Sequence, residues 1–150
     1  MIEFKKTDYT NIADLMSVRL EMLRIVNDLS ADYEFDESFI NSSREYFLNG
    51  NQTSVIAKDE ENVIGCASIS YINIMPTFSH PTGKRAHLMN VYVNKSYRRQ
   101  GIARKMILML VEEARAKGCT EISLDATTDG YPLYKAIGFK ENKEGMVLPL

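Results

Sequence analysis

One helix start constrains this chain more than any other stretch of it. Residues 88–117 read as a strand, a turn and a helix: Leu88-Met89-Asn90-Val91-Tyr92-Val93, then Asn94 to Gln100, then Gly101 to Lys117. The helix follows from Ile102, Ala103, Met106, Ile107, Leu110, Val111 and Ala114, apolar residues spaced to form one buried face. Gly118 stands where a left-handed C-cap ends it. The last turn, with Arg115 and Lys117, suits the negative end of the helix dipole. The first turn does not suit the positive end, because Arg98, Arg99, Arg104 and Lys105 crowd it. A helix start ordinarily attracts a capping Ser, Thr, Asp or Asn and acids in its first turn, since its leading amides lack partners. Free amides, dipole and cations here all favour an anion, and Gly101 lets that anion approach the backbone. The pattern predicts a seat for a polyphosphate; the alternative is a solvated basic turn.

Spacing adds a second constraint. Arg98-Arg99-Gln100-Gly101-Ile102-Ala103 resembles the Arg/Gln-x-x-Gly-x-Gly/Ala motif of the GNAT superfamily of N-acetyltransferases, with Val91-Tyr92-Val93 as the expected strand before it. Gly130-Tyr131-Pro132-Leu133-Tyr134-Lys135-Ala136-Ile137-Gly138-Phe139 resembles the family's Leu-Tyr-x-x-x-Gly-Phe signature. The resemblance covers residues 86–150 and, before them, only the order of elements. It implies a mixed α/β fold, a central and mostly antiparallel sheet with splayed middle strands flanked by about four helices.

The same resemblance implies acetyl-CoA as co-substrate and no metal. Loop amides would hold its pyrophosphate, and a bulged strand would offer backbone groups around Val91 and Val93 to the pantetheine arm. The cofactor-binding set it implies is Val91, Tyr92, Val93, Arg98, Arg99, Gln100, Gly101, Ile102, Ala103, Arg104 and Thr127. Thr127 stands seven residues before Tyr134, where many relatives carry Asn. Tyr134 occupies the signature's Tyr position, where the phenol is the general acid for the departing thiolate. The family's usual strand Glu, its general base, has no counterpart in residues 86–93, which leaves His87, a water on Asn90, Asp125 and Glu21 as alternatives.

Composition fits one domain. The chain has 150 residues, 45% hydrophobic and 25% charged, enough for a single core over 1–150, with no Pro/Gly/Ser-rich linker and no repeat. Met1-Ile2-Glu3-Phe4-Lys5-Lys6 lacks the apolar centre of a signal peptide and no run approaches membrane-spanning length, so the cytoplasm is the expected compartment. Cys66 and Cys119 lie far apart without metal-ligand spacing, which predicts reduced thiols. A net charge of −2 argues against a general nucleic-acid binder.

Taken in order, residues 2–6 alternate as a strand, and Ile12, Leu15, Met16, Leu20, Leu23 and Val26 predict a helix from Tyr9 to Asn27. Arg19 interrupts its apolar face and is read as a stem over the core with its head in water. Asp28, Asp32, Glu34, Asp36 and Glu37 follow without a Lys or Arg among them; the last two suit the start of a second helix that Gly50 ends. Asp32 and Glu34 are read either as a solvated loop or as groups that attract a cationic amine. Thr53 to Lys58 and Val63 to Asn73 predict a hairpin around Asp59-Glu60-Glu61-Asn62. Ile74 to Arg85 is a loop in which Met75 and Phe78 either line a pocket or tack the loop down, and His80 is a surface residue.

Alternation places Met89, Val91 and Val93 on one strand face and Leu88, Asn90 and Tyr92 on the other, with Asn90 facing the reaction gap or satisfying the bulge. Ile122, Leu124 and Ala126 mark a strand after the crossover helix, Thr128 or Asp129 caps a short helix that Gly138 ends, and Met146-Val147-Leu148 suits a last strand. The expected activity is direct transfer of acetyl from acetyl-CoA to a primary amine of a small cationic molecule. A peptide amine, or a non-catalytic acyl-CoA sensor, is the alternative. A homodimer fits an exposed last strand.

Overall fold

The structure, a computed structural model, describes residues 1–142 and 144–150. Its elements run β1 (Ile2–Lys6), α1 (Ile12–Val26), α2 (Glu37–Asn49), β2 (Gln52–Asp59), β3 (Asn62–Asn73), β4 (Lys84–Val93), α3 (Ile102–Ala116), β5 (Glu121–Leu124) and α4 (Tyr131–Ile137), with a 3-10 turn at Lys95–Tyr97. The strands form one sheet in sequence order. β1 to β4 pair antiparallel, β1 with β2 after the excursion through α1 and α2 and the others through direct connections, whereas β4 and β5 pair parallel because α3 crosses between them.

Two cores follow from the two sheet faces. On one, α3 inserts Ile102, Met106, Ile107, Leu110 and Ala114 against Val55, Ala57, Ala67, Ile69 and Leu88. On the other, α1 lays Leu15, Val18 and Met22 on Ile56, Cys66 and Tyr92. α3 stops where expected: Gly118 is left-handed at φ 82°, the Gly118 amide donates to Ala114's neighbour Arg115 at 2.9 Å, and Cys119 donates to Ala114 at 3.0 Å. These two bonds satisfy carbonyls that the helix end would otherwise leave open.

The β4 strand departs from simple alternation. Ser68 pairs with Met89 and Cys66 with Tyr92, so the single residue Ala67 faces Asn90 and Val91 together. That extra residue is a β-bulge, and Asn90 adopts φ 61° to make it. Leu88 consequently joins Val91 and Val93 on the α3 side, not Asn90 and Tyr92 as alternation predicts.

Other boundaries also moved for local reasons. α1 begins at Ile12, because Asp8 binds the Thr10 amide and Asn11 binds the Asp8 amide, each at 2.8 Å, folding residues 8–11 into a turn. Asp28 is left-handed at φ 54° and sits in the same type of helix-ending turn as Gly118, with Leu29 donating to Arg24 at 2.8 Å. His80 is buried, not on the surface: its Nε2 meets Thr120 Oγ1 at 2.7 Å and pins the 74–83 loop to the start of β5. Met75 and Phe78 on that loop are exposed and tack down nothing. Met146, Val147 and Leu148 form no strand and are exposed; three apolar residues between Gly145 and Pro149 are too few to hold a ladder.

Leu110 is 1% exposed at the centre of the larger core. Leu110→Ala is expected to lower stability in urea denaturation by about 2–5 kcal/mol, with little change for Leu108→Ala on the outer face of the same helix.

Candidate active site

The α3 start has the geometry that an anion needs. Arg99 and Gly101 are both left-handed, at φ 63° and 77°, and turn the chain sharply into the helix. Among the described residues no side chain caps that terminus, and no acid occupies its first turn. A Cβ built on Gly101 would meet nothing within 4 Å, so the concavity in front of the leading amides is open. Turn amides around left-handed residues converge in this way on anions. Ile102 is buried and Ala103 half-buried, so both offer only backbone to the opening. Arg99, Gln100, Arg104 and Lys105 are exposed around it, while Arg98 also anchors the turn, its Nε donating to the Val93 carbonyl at 3.1 Å.

A gap leads away from this terminus. The β4–β5 ladder runs from Arg85↔Glu121 to Leu88↔Leu124 and stops. β4 continues through Met89 to Val93 with no strand on that side among the described residues, so the outward backbone groups of Val91 and the amide of Val93 are available to a guest, while the Val93 carbonyl is taken by Arg98. The Asn90 bulge lies at the mouth of the gap. Tyr92, expected to bind the arm, turns its backbone to β3 where it pairs with Cys66, and its ring is buried with the hydroxyl donating to Glu21 Oε2 at 2.7 Å.

Tyr134 stands on α4, held by the end of its own helix. Gly138 is left-handed at φ 120°, the Phe139 amide donates to the Tyr134 carbonyl at 3.0 Å, and the two rings pack edge-on at 5.9 Å between centroids. The Tyr-x-x-x-Gly-Phe spacing is thus a helix stop that folds Phe back onto Tyr. The Tyr134 ring is half-buried, and burial pushes its phenol above the ordinary value, so it keeps its proton beyond the neutral range. Its hydroxyl makes no hydrogen bond among the described residues. Thr127, not Thr128 or Asp129, supplies the cap before α4: its Oγ1 accepts from the Gly130 amide at 3.2 Å, leaving its own proton to donate elsewhere.

The candidates for the base separate. Glu21 is engaged by Tyr92 and by Asn94 Nδ2. The Asn90 side chain accepts from Arg19 Nη1 at 2.8 Å and donates to Ser68 Oγ at 3.2 Å. His87 pairs Nδ1 with Ser123 Oγ at 2.8 Å, and its Nε2 lies 3.7 Å from Asp125, the residue that follows β5 where the strands part. Cys66 is fully buried, and burial pushes its thiol up to about 12, so it is no nucleophile. Arg19 turns its head inward to Asn90 and over the Phe47 ring, 5.5 Å from the centroid, contrary to the expected solvent-facing head. Asp32 and Glu34 are exposed and joined to no other candidate; their loop is held by Arg24, which donates to Tyr33 O at 3.0 Å and packs on Phe35. Among the described residues no three His, Cys, Asp or Glu side chains are placed to hold a metal.

The model of the acetyltransferase (GNAT) family matches residues 20–139. The chain belongs to this family. A predicted acetyltransferase from Clostridium acetobutylicum, crystallised with acetyl-CoA, superposes with a TM-score of 0.86 at 29% identity over 99% of this chain and 96% of that one. A glucosamine 6-phosphate N-acetyltransferase of Trypanosoma brucei brucei is 33% identical over 88 residues, 59% of this chain and 58% of that protein. A thialysine N-epsilon-acetyltransferase of Bos taurus is 38% identical over 72 residues, 45% of this chain and 42% of that protein. The matches to these two curated relatives thus span roughly half of each relative's length.

Gly101 therefore faces open space at an uncapped helix start, and beyond Leu88 the β4 edge carries no partner strand among the described residues. Gly101→Ala is expected to fold with a strain cost of about 1–2 kcal/mol and to weaken acetyl-CoA binding, because the new methyl enters the concavity. Gly101→Glu should abolish binding by calorimetry; normal affinity in the Glu variant would disprove the phosphate seat.

Proposed function

We propose that the chain is an N-acetyltransferase that moves acetyl from acetyl-CoA directly to a primary amine of a small molecule. The observation that carries this reading is the gap that opens beyond Leu88↔Leu124, with an uncapped basic helix start at one end and a free phenol, that of Tyr134, on the neighbouring helix. When bound, acetyl-CoA supplies the acetyl group as a thioester. Gly101, Ile102, Ala103 and Arg104 would hold its pyrophosphate with backbone amides, Arg98, Arg99 and Gln100 would surround it, and Val91 and Val93 would bind its arm through the β4 edge, with Thr127 donating from the α4 side.

His87, oriented by Ser123 and facing Asp125, takes the proton from the acceptor's ammonium so that the amine can attack. Tyr134 gives its proton to the sulfur as the thiolate leaves, and it remains protonated at the pH where an amine is neutralised because burial raises its pKa. The buried, protonated Cys66 argues for direct transfer, without an acyl-enzyme. Asp32 and Glu34, exposed on the α1–α2 connection, would attract the ammonium from solution. The same reading places the chain in the cytoplasm, in keeping with two free thiols, and gives it no nucleic-acid or membrane partner, in keeping with a net charge of −2. Self-association, if it accompanies the activity, would use the exposed apolar residues Met146 to Leu148.

Release of free CoA across a panel of polyamines, amino acids, aminosugars and Lys-bearing peptides tests the activity, and the reading expects a small amine to lead. Tyr134→Phe is expected to cut turnover about a hundredfold while acetyl-CoA affinity stays within twofold. Because burial disfavours the phenolate, any alkaline loss of activity due to Tyr134 should begin above pH 10, and it should vanish from the Phe variant's profile.

A further inference from the structure

Arg19 is an ionised group without a counter-ion beside the bulge. It comes from the α1 face, its Nη1 donates to Asn90 Oδ1, and its guanidinium lies over Phe47. Its Nε is shielded from solvent and has no partner among the described residues. None of the ion pairs among the described residues includes it, and both carboxylates on its own helix are taken, Asp14 by Lys58 and Glu21 by Tyr92 and Asn94. Burial disfavours its charged form, a cost that a structural arginine would normally offset with a carboxylate.

The hydrogen bonds around it supply dipoles but no charge. Asn90 Nδ2 donates to Ser68, Ser68 and Ser54 share a bond of 2.6 Å, Ser54 donates to Gln52 Oε1 at 2.6 Å, and Gln52 Nε2 donates to the Phe47 carbonyl at 2.8 Å. The chain is built from neutral groups throughout and fixes Asn90 and Arg19 in place. Arg19 is only half-buried as a residue, so part of its donor fork stays reachable from the side on which α1 packs against α2 and β4. A fixed, stacked guanidinium of this kind, with donors left over and no counter-ion, is a receptor for a planar carboxylate or a phosphate.

We propose that Arg19 is an anion subsite of the acceptor pocket and receives a carboxylate or phosphate carried by the same small molecule that presents the amine. This rests on the acetyltransferase reading and narrows its acceptor to a zwitterion. The exposed acids Asp32 and Glu34 draw in the ammonium end, while Arg19 fixes the anionic end and so sets which way the amine points.

The test uses matched acceptors that differ only in the anion: lysine against lysinamide for a carboxylate, and glucosamine 6-phosphate against glucosamine for a phosphate. CoA release is followed with the wild-type chain and with Arg19→Gln, and acceptor affinity is measured by calorimetry in the presence of CoA. The anionic member of one pair should exceed its neutral partner by about tenfold or more in kcat/KM, and Arg19→Gln should bring the two together by weakening the anionic one. Arg19→Lys should restore part of the difference. Unchanged acetyl-CoA affinity certifies the fold of each variant, and the wild-type comparison decides the question even if Arg19→Gln does not fold. Equal rates for both members of both pairs, preference for the neutral members, or equal losses on both in Arg19→Gln would each overturn the subsite. CoA release from none of the amines would defeat the enzymatic reading instead, and the calorimetric difference between paired acceptors would then judge Arg19 alone.

Discussion

The extra residue in β4 is the constraint on which the site depends. A strand that alternated without interruption would continue its ladder with β5 and leave no opening; the bulge at Asn90 turns the strand just after the last pair, Leu88↔Leu124. Such a turn requires a residue that tolerates φ near 61°, and Asn is one of the few that does. The structure secures it with three contacts. Arg19 and Ser68 hold the side chain, and the buried Cys66 Sγ donates to the Asn90 carbonyl at 3.1 Å. Polar groups buried in the α1-side layer are therefore the means by which the gap stays open.

Two helix ends do comparable work on the other side of the gap. α3 begins without a cap and with surplus positive charge, an arrangement that is unfavourable unless an anion completes it. α4 ends in a glycine stop that presses Phe139 on Tyr134 and limits how far the phenol can swing. One terminus is left incomplete and the other is fully satisfied, and the difference separates a surface that binds from a surface that positions.

Legibility in the sequence followed the range of the interactions involved. The α3 start, the glycine stops at Gly118 and Gly138 and the hairpin of β2 and β3 depend on neighbours a few residues away, and each could be read from residue type and spacing. The face of Leu88 could not be read from alternation, because one inserted residue inverts a period of two, even where the resemblance implies a bulge near Asn90. Arg19 and His80 were misplaced for another reason: their partners Asn90 and Thr120 lie 71 and 40 positions away. Nothing nearby in the chain can satisfy either group, so local sequence points each of them to water. The run at 146–148 misled in the opposite sense, since apolar character without length or a suitable flank does not make a strand.

The polar row beneath the bulge has a sense of direction. Amides stand within it at Asn90 and Gln52, and each is oriented by what it binds on both sides, so every group from Arg19 to the Phe47 carbonyl passes its hydrogen the same way. Hydroxyls can rotate to reverse such a row, but a side-chain amide bound at both ends cannot exchange its oxygen for its nitrogen without breaking every contact it makes. Electrically, the row is an insulator: it polarises toward the guanidinium but cannot conduct a proton through the sheet. On the other side of the opening Asp125 stands in solvent, 3.7 Å from His87 Nε2.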